Sequence, residues 1–202
     1  MEQQYTDIEL LRPFGPTISR TILPDDIYSA LLQITDEIIA DEHRENIGDR
    51  LAGEIQEQNM IPVQKLMQYG VLQYFLEEVD TYFNQIFAKL DGLSHESKLT
   101  TCWVNSMYEH EWNPIHTHSQ TLSSIVVLKV PQDLEPPEGM ISFTNNSSRI
   151  PFELEHGIQL FIPQEKHFYL FPARLSHAVN PFTCLGERRT ISFNINTVIS
   201  EK

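Results

Sequence analysis

The sequence contains few cysteines, few basic residues and no long apolar run. Only two of its 202 residues are cysteine, Cys102 and Cys184, so no disulfide framework is expected and a reducing compartment is the default. No stretch of about 18 apolar residues occurs, so we expect no membrane-spanning helix. The N-terminal segment MEQQYTDIELLRPFG is acidic and lacks an apolar core, which is unlike a secretory signal. These absences predict a cytoplasmic protein.

Basic residues are scarce as well. The chain has 14 Lys and Arg against 28 Asp and Glu, a formal net charge of −14. Proteins that bind nucleic acid without sequence specificity neutralise phosphates with basic side chains. We therefore expect no nucleic-acid partner. The length fits one domain with a sizeable core.

The first half of the chain is predicted to be mainly helical, after a short strand near Thr17–Ile22. Apolar residues recur at helical spacing through LPDDIYSALLQITDEIIADE, with a plausible N-terminal cap at Asp25. Residues 42–60 are polar and contain two glycines, which indicates a loop. A second helix is predicted from Val63 to about Leu90, where apolar and aromatic residues return with the same spacing.

From Leu99 onward the pattern changes to short segments rich in β-branched and aromatic residues, separated by turn signals. Many short strands at such spacing are typical of a sandwich or barrel. The sequence thus predicts an α+β fold within one domain, residues 1–202. Residues 1–98 form its mainly helical part and residues 99–202 its β core.

Three histidines in the β half are candidate metal ligands. His116 and His118 are two residues apart, and on a strand they would project from the same face. Imidazoles suit iron, zinc, copper or nickel. His177 follows an apolar strand in FPARLSHAVNPF and could supply a third ligand. Nearby histidines are also common as surface or packing residues, so the pair alone does not establish a site.

A candidate anion site lies a few residues further on, in the segment RRTISFN. On a strand its residues alternate between two faces: Arg188, Thr190, Ser192 and Asn194 on one, and Arg189, Ile191 and Phe193 on the other. Both faces cannot be apolar core, so one is expected to line a polar cavity. An arginine with a hydroxyl two residues later can bind a carboxylate through two hydrogen bonds.

These segments resemble a known family. The histidine motif in NPIHTHSQ, the segment LFPARLSHAVNP with His177, and Arg188-Arg189-Thr190 occur in the order found in iron(II)- and 2-oxoglutarate-dependent oxygenases, most closely in a subgroup of small oxygenases. The resemblance covers about residues 100–197. It implies that the N-terminal helices pack on a C-terminal double-stranded β-helix, or jelly roll.

The resemblance also implies cofactors and roles. His116 and His177 would bind Fe(II), while Arg188 would bind the distal carboxylate of 2-oxoglutarate, with a hydroxyl contact from Thr190 or Ser192. The partners would be 2-oxoglutarate, O2 and a substrate hydroxylated at a C–H bond: an amino acid, a peptidyl side chain or a small metabolite. Six further residues are candidates for the pocket wall: Trp103, Asn105, Tyr108, Gln120, Ser124 and Val126.

One position departs from the family pattern, which is His-x-Asp or His-x-Glu. Here the second position is His118. Either His116, His118 and His177 form a three-histidine site, or His118 is the first ligand and Gln120 takes the place of the acid, or an acid comes from Glu109 or Glu111.

Two other classes remain open on the sequence alone. One is a cupin-like three-histidine metalloprotein that does not use 2-oxoglutarate. The other is a non-catalytic jelly-roll module. The segments 42–60 and 144–156 are candidate lids.

Overall fold

The computed structural model describes residues 9–11, 15–87, 93–145 and 157–201. Its helices are α1 (Asp25–Ala40), α2 (Val63–Gln68) and α3 (Val71–Phe87), with a single 3-10 turn at Gly48–Arg50. The strands, in chain order, are β1 (Glu9–Leu11), β2 (Ile18–Ile22), β3 (Glu57–Met60), β4 (Leu93–Met107), β5 (Asn113–His116), β6 (Leu122–Lys129), β7 (Ile141–Thr144), β8 (Ile158–Phe161), β9 (His167–Pro172), β10 (Ser176–Val179) and β11 (Arg188–Glu201).

These strands form two antiparallel sheets. The larger has the order β1-β2-β9-β6-β11-β4-β3, and the smaller has the order β5-β10-β7-β8. Strand β11 pairs with β4 along its whole length and with β6 on its other side. The mostly antiparallel, two-sheet architecture is that of a jelly roll, which confirms the predicted class of fold.

Two apolar clusters flank the large sheet. One lies between the sheets and includes Ile125, Phe143 and Phe171, all buried. The other lies on the opposite face, where Phe75 of α3 stacks on Phe193 of β11 with ring centroids 4.3 Å apart. The large sheet therefore has one face towards the helices and the other towards the small sheet.

The helix boundaries differ from the sequence prediction in two places. Asp25 is the first residue of α1 rather than its cap, and the N-cap position is Pro24, which makes no side-chain hydrogen bond. The carboxylate of Asp25 instead accepts a hydrogen bond from Lys166 Nζ at 2.6 Å.

The helix predicted from Val63 is divided at Gly70, whose φ of 71° is a left-handed conformation that glycine adopts without strain. Residues 88–90, its predicted end, lie outside the described residues.

The region 42–60, predicted as a loop, contains the 3-10 turn and strand β3, which pairs with β4. The boundary predicted between residues 98 and 99 falls within β4. Strands from both halves of the chain thus share the large sheet.

In the described part of the chain, no helix combines the length and apolar character needed to cross a membrane.

Phe75→Ala is expected to lower the free energy of unfolding by about 3–5 kcal/mol, because it removes a fully buried ring and leaves a cavity against Phe193. Urea titration followed by circular dichroism measures the change. Gln73→Ala, on the exposed side of the same helix, should change it by less than about 0.5 kcal/mol. Equal effects of the two substitutions would contradict the packing of α3 on the sheet.

Candidate metal centre

Strand pairing brings two of the three candidate histidines together. His116 ends β5 and His177 lies on the neighbouring strand β10, and the two residues are directly opposite in the antiparallel register. His118 lies beyond the end of β5 rather than on a strand, so the predicted strand geometry does not apply to it. Its backbone N–H donates to the carbonyl of Ala173 at 2.8 Å, which anchors the turn that carries it.

The three imidazoles form one cluster. Ring centroids are 4.2 Å apart for His116 and His177, 4.9 Å for His116 and His118, and 5.2 Å for His118 and His177. One ring nitrogen of each lies within 4.8 Å of those of the others.

Backbone carbonyls fix the orientation of two of these rings. His116 Nδ1 is 2.7 Å from the carbonyl oxygen of Pro114, and His177 Nδ1 is 2.9 Å from that of Leu175. Because a carbonyl only accepts hydrogen bonds, each Nδ1 carries the proton and each Nε2 keeps its lone pair. This tautomer leaves Nε2 free to bind a metal ion.

Burial keeps all three imidazoles neutral at physiological pH. Loss of hydration lowers the pKa of His116, and burial together with the neighbouring His116 lowers the pKa of His118 to about 4. The pKa of His177 falls to about 3, chiefly because the ring is buried and secondarily because His116 is close. No proton has to be displaced before such a nitrogen binds a cation at pH 7.

Within the described ranges, the cluster contains no carboxylate. Both carboxylate oxygens of Glu111 accept backbone N–H groups, from Gln56 and Tyr108 at 2.9 Å each. Neither Glu109 nor Gln120 lines the cavity onto which the histidines open. The geometry therefore favours the three-histidine set among the three alternatives.

Arg188 lines the same cavity as the histidines and is only 1% exposed. Its Nε donates to the Gly139 carbonyl at 3.1 Å and its Nη1 approaches Met107 Sδ at 3.6 Å. Its Nη2 has no partner among the described residues. Burial lowers the pKa of Arg188 to about 10, so the side chain still carries its charge at pH 7. A buried cation with a free donor calls for an anionic ligand.

Arg189, the next residue, has the opposite environment. It projects from the other face of β11, where its Nε donates to Glu187 at 2.6 Å and its Nη1 to Thr35 of α1 at 3.1 Å. Asp36 of α1 completes its ion pairs. The charge of Arg189 is thus neutralised by acidic side chains, whereas Arg188 has no acidic partner among the described residues.

Asn105 orients the two hydroxyls beside Arg188. Its Oδ1 accepts from Trp103 Nε1 at 3.0 Å, so its Nδ2 must face the other way, towards Thr190 Oγ1 at 3.4 Å and Ser192 Oγ at 3.3 Å. Each hydroxyl is used as an acceptor, which leaves its own proton available for a bound anion. The cavity therefore offers an anion two oriented hydroxyls and a guanidinium.

Asn105→Ala is expected to weaken 2-oxoglutarate binding about tenfold, and Asn105→Asp about a hundredfold. Alanine only releases the hydroxyls, whereas aspartate accepts their protons and adds a negative charge beside the anion. Calorimetric titration of the metal-loaded protein with 2-oxoglutarate would measure both affinities. If the two variants bound 2-oxoglutarate equally well, the orientation assigned to the Asn105 amide, with Nδ2 towards the two hydroxyls, would be wrong.

The structure divides the predicted pocket residues. Trp103 and Asn105 line the cavity, whereas Gln120 and Val126 do not, and Val126 is buried in the apolar cluster on the helix side of the sheet. Tyr108 is exposed outside it, and the Ser124 hydroxyl bonds to the backbone of Phe193 at 2.9 and 3.2 Å. Eight lining residues were not anticipated from the sequence: Leu51, Ala52, Ile55, Gln58, Met107, Asn113, Ile125 and Val179.

Part of the segment 42–60, a candidate lid, does form one wall of the cavity, because four of these eight residues belong to it. Most of the other candidate lid, 144–156, lies outside the described residues. The glycines in the polar stretch were the signal that could have indicated this wall.

Comparison with known proteins agrees with the fold. Residues 101–194 match the family model described as "Putative 2OG-Fe(II) oxygenase". Among curated proteins no sequence match is found. A prolyl-4-hydroxylase from Pseudomonas putida is similar in structure, with a TM-score of 0.58 and 15% identity over 89% of this chain and 91% of that one.

Two further solved structures share the fold. A prolyl hydroxylase from Trichoplax adhaerens, in complex with a hypoxia inducible factor peptide fragment, has a TM-score of 0.59 at 13% identity, over 94% of this chain and 83% of that one. HygX from Streptomyces hygroscopicus, with nickel, 2-oxoglutarate and hygromycin B bound, has a TM-score of 0.59 at 9% identity, over 95% and 83%.

The jelly roll carries a histidine cluster that could hold a metal ion and, in the same cavity, a buried arginine. The family match covers the segment that carries all of these residues. The predicted resemblance to the iron(II)- and 2-oxoglutarate-dependent oxygenases is therefore confirmed. The cofactors of that family are Fe(II) and 2-oxoglutarate, and the three-histidine group fits Fe(II).

Proposed function

We propose that this protein is a dioxygenase that uses Fe(II) and 2-oxoglutarate to hydroxylate an unactivated C–H bond of an amino acid, a peptidyl side chain or a small metabolite. The observation that carries the proposal is Arg188, a buried guanidinium whose Nη2 has no partner in the described structure, in the cavity that the three histidines share. A dicarboxylate would supply the missing partner.

Each group in the cavity then has a role. His116, His118 and His177 would hold the iron through one ring nitrogen each. Arg188 would bind the distal carboxylate of 2-oxoglutarate, with a hydroxyl contact from Thr190 or Ser192. When bound, iron, 2-oxoglutarate and O2 supply the oxidising chemistry: one oxygen atom goes to the substrate C–H bond, and the other goes to succinate as CO2 is released.

Charge also supports this assignment. Three neutral imidazoles leave the full +2 charge of Fe(II) uncompensated, whereas the usual carboxylate ligand would reduce it to +1. Arg188 adds a further positive charge in the same cavity. A dianion such as 2-oxoglutarate would be attracted by both positive charges, so the absence of an acid at position 118 favours binding of the co-substrate.

One experiment separates the candidate functions. Fe(II) and 2-oxoglutarate are added without oxygen, and the charge-transfer absorbance of the chelate is recorded; oxygen is then admitted and succinate is measured. We expect both signals. A cupin-like three-histidine protein would bind iron without the absorbance, and a non-catalytic jelly roll would form no succinate. Absence of the absorbance would rule out the proposed function.

His118→Asp restores the usual family motif and tests the third ligand. We expect this variant to bind Fe(II) within about tenfold of the wild type, because a carboxylate is a good iron ligand, and His118→Ala to bind at least about a hundredfold more weakly. Anaerobic Fe(II) titration measures the affinities, with Gln120→Ala as the matched control. If Gln120→Ala lost iron and His118→Ala did not, the ligand would be Gln120.

We further propose that residues 1–202 fold as one oxygenase-like domain in which the helices support the jelly roll. Strand β3 pairs with β4 and β2 with β9, so both halves contribute to one sheet. The urea titration of the Phe75 variant also tests this proposal, because one domain unfolds in one transition, and two separate transitions would contradict it.

A further inference from the structure

We propose that the cavity recognises its primary substrate through a cationic nitrogen group, an ammonium or a guanidinium, that donates hydrogen bonds to Gln58 and Asn113. This inference rests on the proposed function, because it treats the ligand as the substrate of the same site. It concerns one wall of the cavity, formed by β3 and the start of β5.

The hydrogen-bond network determines which atom Gln58 presents. The indole of Trp103 can only donate, and it donates to Asn105 Oδ1 at 3.0 Å. The amide of Gln58 contacts the same oxygen at 2.8 Å, so the contacting atom must be Nε2. The other atom of the amide, Oε1, is therefore an acceptor, and the indole fixes this orientation through Asn105.

Two residues that line the cavity carry a buried acceptor oxygen with no donor among the described residues. Gln58 is 1% exposed, and its Oε1 has no partner within the described structure. Asn113 Oδ1 is likewise buried and unpartnered, and both residues line the cavity that holds the histidines and Arg188. A buried carbonyl oxygen without a donor destabilises the protein until a donor arrives.

The co-substrate cannot supply these donors. At pH 7 both carboxylates of 2-oxoglutarate are ionised and its keto group has no hydrogen, so it brings only acceptors. It can satisfy the free Nη2 of Arg188 but neither Gln58 Oε1 nor Asn113 Oδ1. The cavity therefore has an unpaired donor, which 2-oxoglutarate can satisfy, and two unpaired acceptors, which require a different molecule that carries hydrogen-bond donors.

The surroundings favour a positive charge on that molecule. A second, open hollow adjoins the cavity and shares Leu51, Ala52 and Ile55 with it. Three acidic residues line the hollow, Asp49, Glu54 and Glu111, and no lysine or arginine does so among the described residues. A cation approaching the cavity over this hollow is attracted, whereas an anion is repelled.

The loop above β3 holds Gln58 in place. A Cβ at Gly53 would lie 3.2 Å from Gln58 Nε2 and 3.0 Å from Ile55 Cδ1, so a larger residue there would press on the Gln58 amide. The amide is thus confined between the loop and Asn105 and has little freedom to turn. A preorganised acceptor of this kind loses little entropy when a ligand binds.

The test uses NMR, with the Trp103 indole N–H as the reporter, because it shares Asn105 Oδ1 with Gln58. The chain has two tryptophans, and Trp112→Phe assigns the signal. Two forms of the protein are titrated, one metal-free and the other loaded with Zn(II) and 2-oxoglutarate. Each form is titrated with agmatine, with butylammonium and with the uncharged analogue pentanol. We expect the cations to shift the Trp103 signal and pentanol to leave it unchanged.

Gln58→Met keeps the length of the side chain and removes the acceptor, so it should weaken binding of both cations about tenfold. Gln73→Met, the same change on the exposed face of α3, should leave binding as in the wild type. Unchanged binding in Gln58→Met, or a Trp103 signal that no cation moves, would overturn the proposal and leave the two acceptors to hydration water. The charge-transfer experiment tests the oxygenase assignment separately, so the two failures are distinguishable.

Discussion

Arg188→Met is expected to weaken 2-oxoglutarate binding by at least about a hundredfold and to leave the ligand-free protein no less stable. Two charge-assisted hydrogen bonds of about 1.5–3 kcal/mol each are lost from the complex. In the ligand-free protein, however, the substitution removes a fully buried charge that has no anionic partner among the described residues. Replacing such a charge by an apolar side chain is commonly neutral or stabilising.

Arg189→Met is the matched control and should behave in the opposite way. It breaks ion pairs with Glu187 and Asp36 and should cost about 1–3 kcal/mol of stability, a range discounted because Asp36 is mostly exposed. Its affinity for 2-oxoglutarate should stay within about twofold of the wild type, since the side chain lies on the other face of β11. Calorimetric titration and urea unfolding of both variants measure the two quantities. If the two variants changed in the same way in 2-oxoglutarate affinity and in stability, the proposal that Arg188 binds the anion and Arg189 stabilises the fold would be refuted.

The second large effect is expected from His177→Ala, which should reduce Fe(II) affinity by at least about a hundredfold. His177 is the most buried of the three histidines, and it lies directly opposite His116 across the β5–β10 pair. Removing it takes away a neutral nitrogen that the Leu175 carbonyl holds in the metal-binding tautomer. Anaerobic Fe(II) titration, with an iron assay after desalting, measures the loss.

His167→Ala provides the control for that measurement. His167 is half-buried on β9, and its Nδ1 lies 3.1 Å from the Tyr169 hydroxyl rather than in the cluster. Its removal should leave iron affinity within about twofold of the wild type, because it contacts none of the three histidines. If both variants bound iron as the wild type does, the histidine cluster would not be the metal centre.

The parts of this site that follow from strand periodicity could be predicted from the sequence. Arg188, Thr190 and Ser192 lie on one face of β11, and Arg189 lies on the other, because side chains alternate along a strand. The position of His116 directly opposite His177 does not follow from strand periodicity. It depends on which strands pair across 61 residues, and only the order of motifs shared with a family indicated it.

Other features could not be read from local pattern. The apolar stripe continues through both α2 and α3, so it concealed the break that Gly70 makes. Ser124 lies on a predicted strand, but its hydroxyl is occupied by the backbone of Phe193, a tertiary contact. Gln58 lies in a polar stretch that resembled a loop, and its role depends on an indole that lies 45 residues away in the chain (103 − 58).

The position of β11 has a consequence for how the protein reaches its folded state. This strand is the last of those described along the chain, yet it lies between β4 and β6 in the middle of the large sheet. When β6 has just emerged from the ribosome, the nascent chain therefore carries β4 and β6 with open edges and with the place of β11 between them still empty. Closure waits for residues far away in sequence, which slows folding and exposes unpaired edges to association. Arg188 begins that final strand, so the anion site is assembled at the same step that completes the sheet.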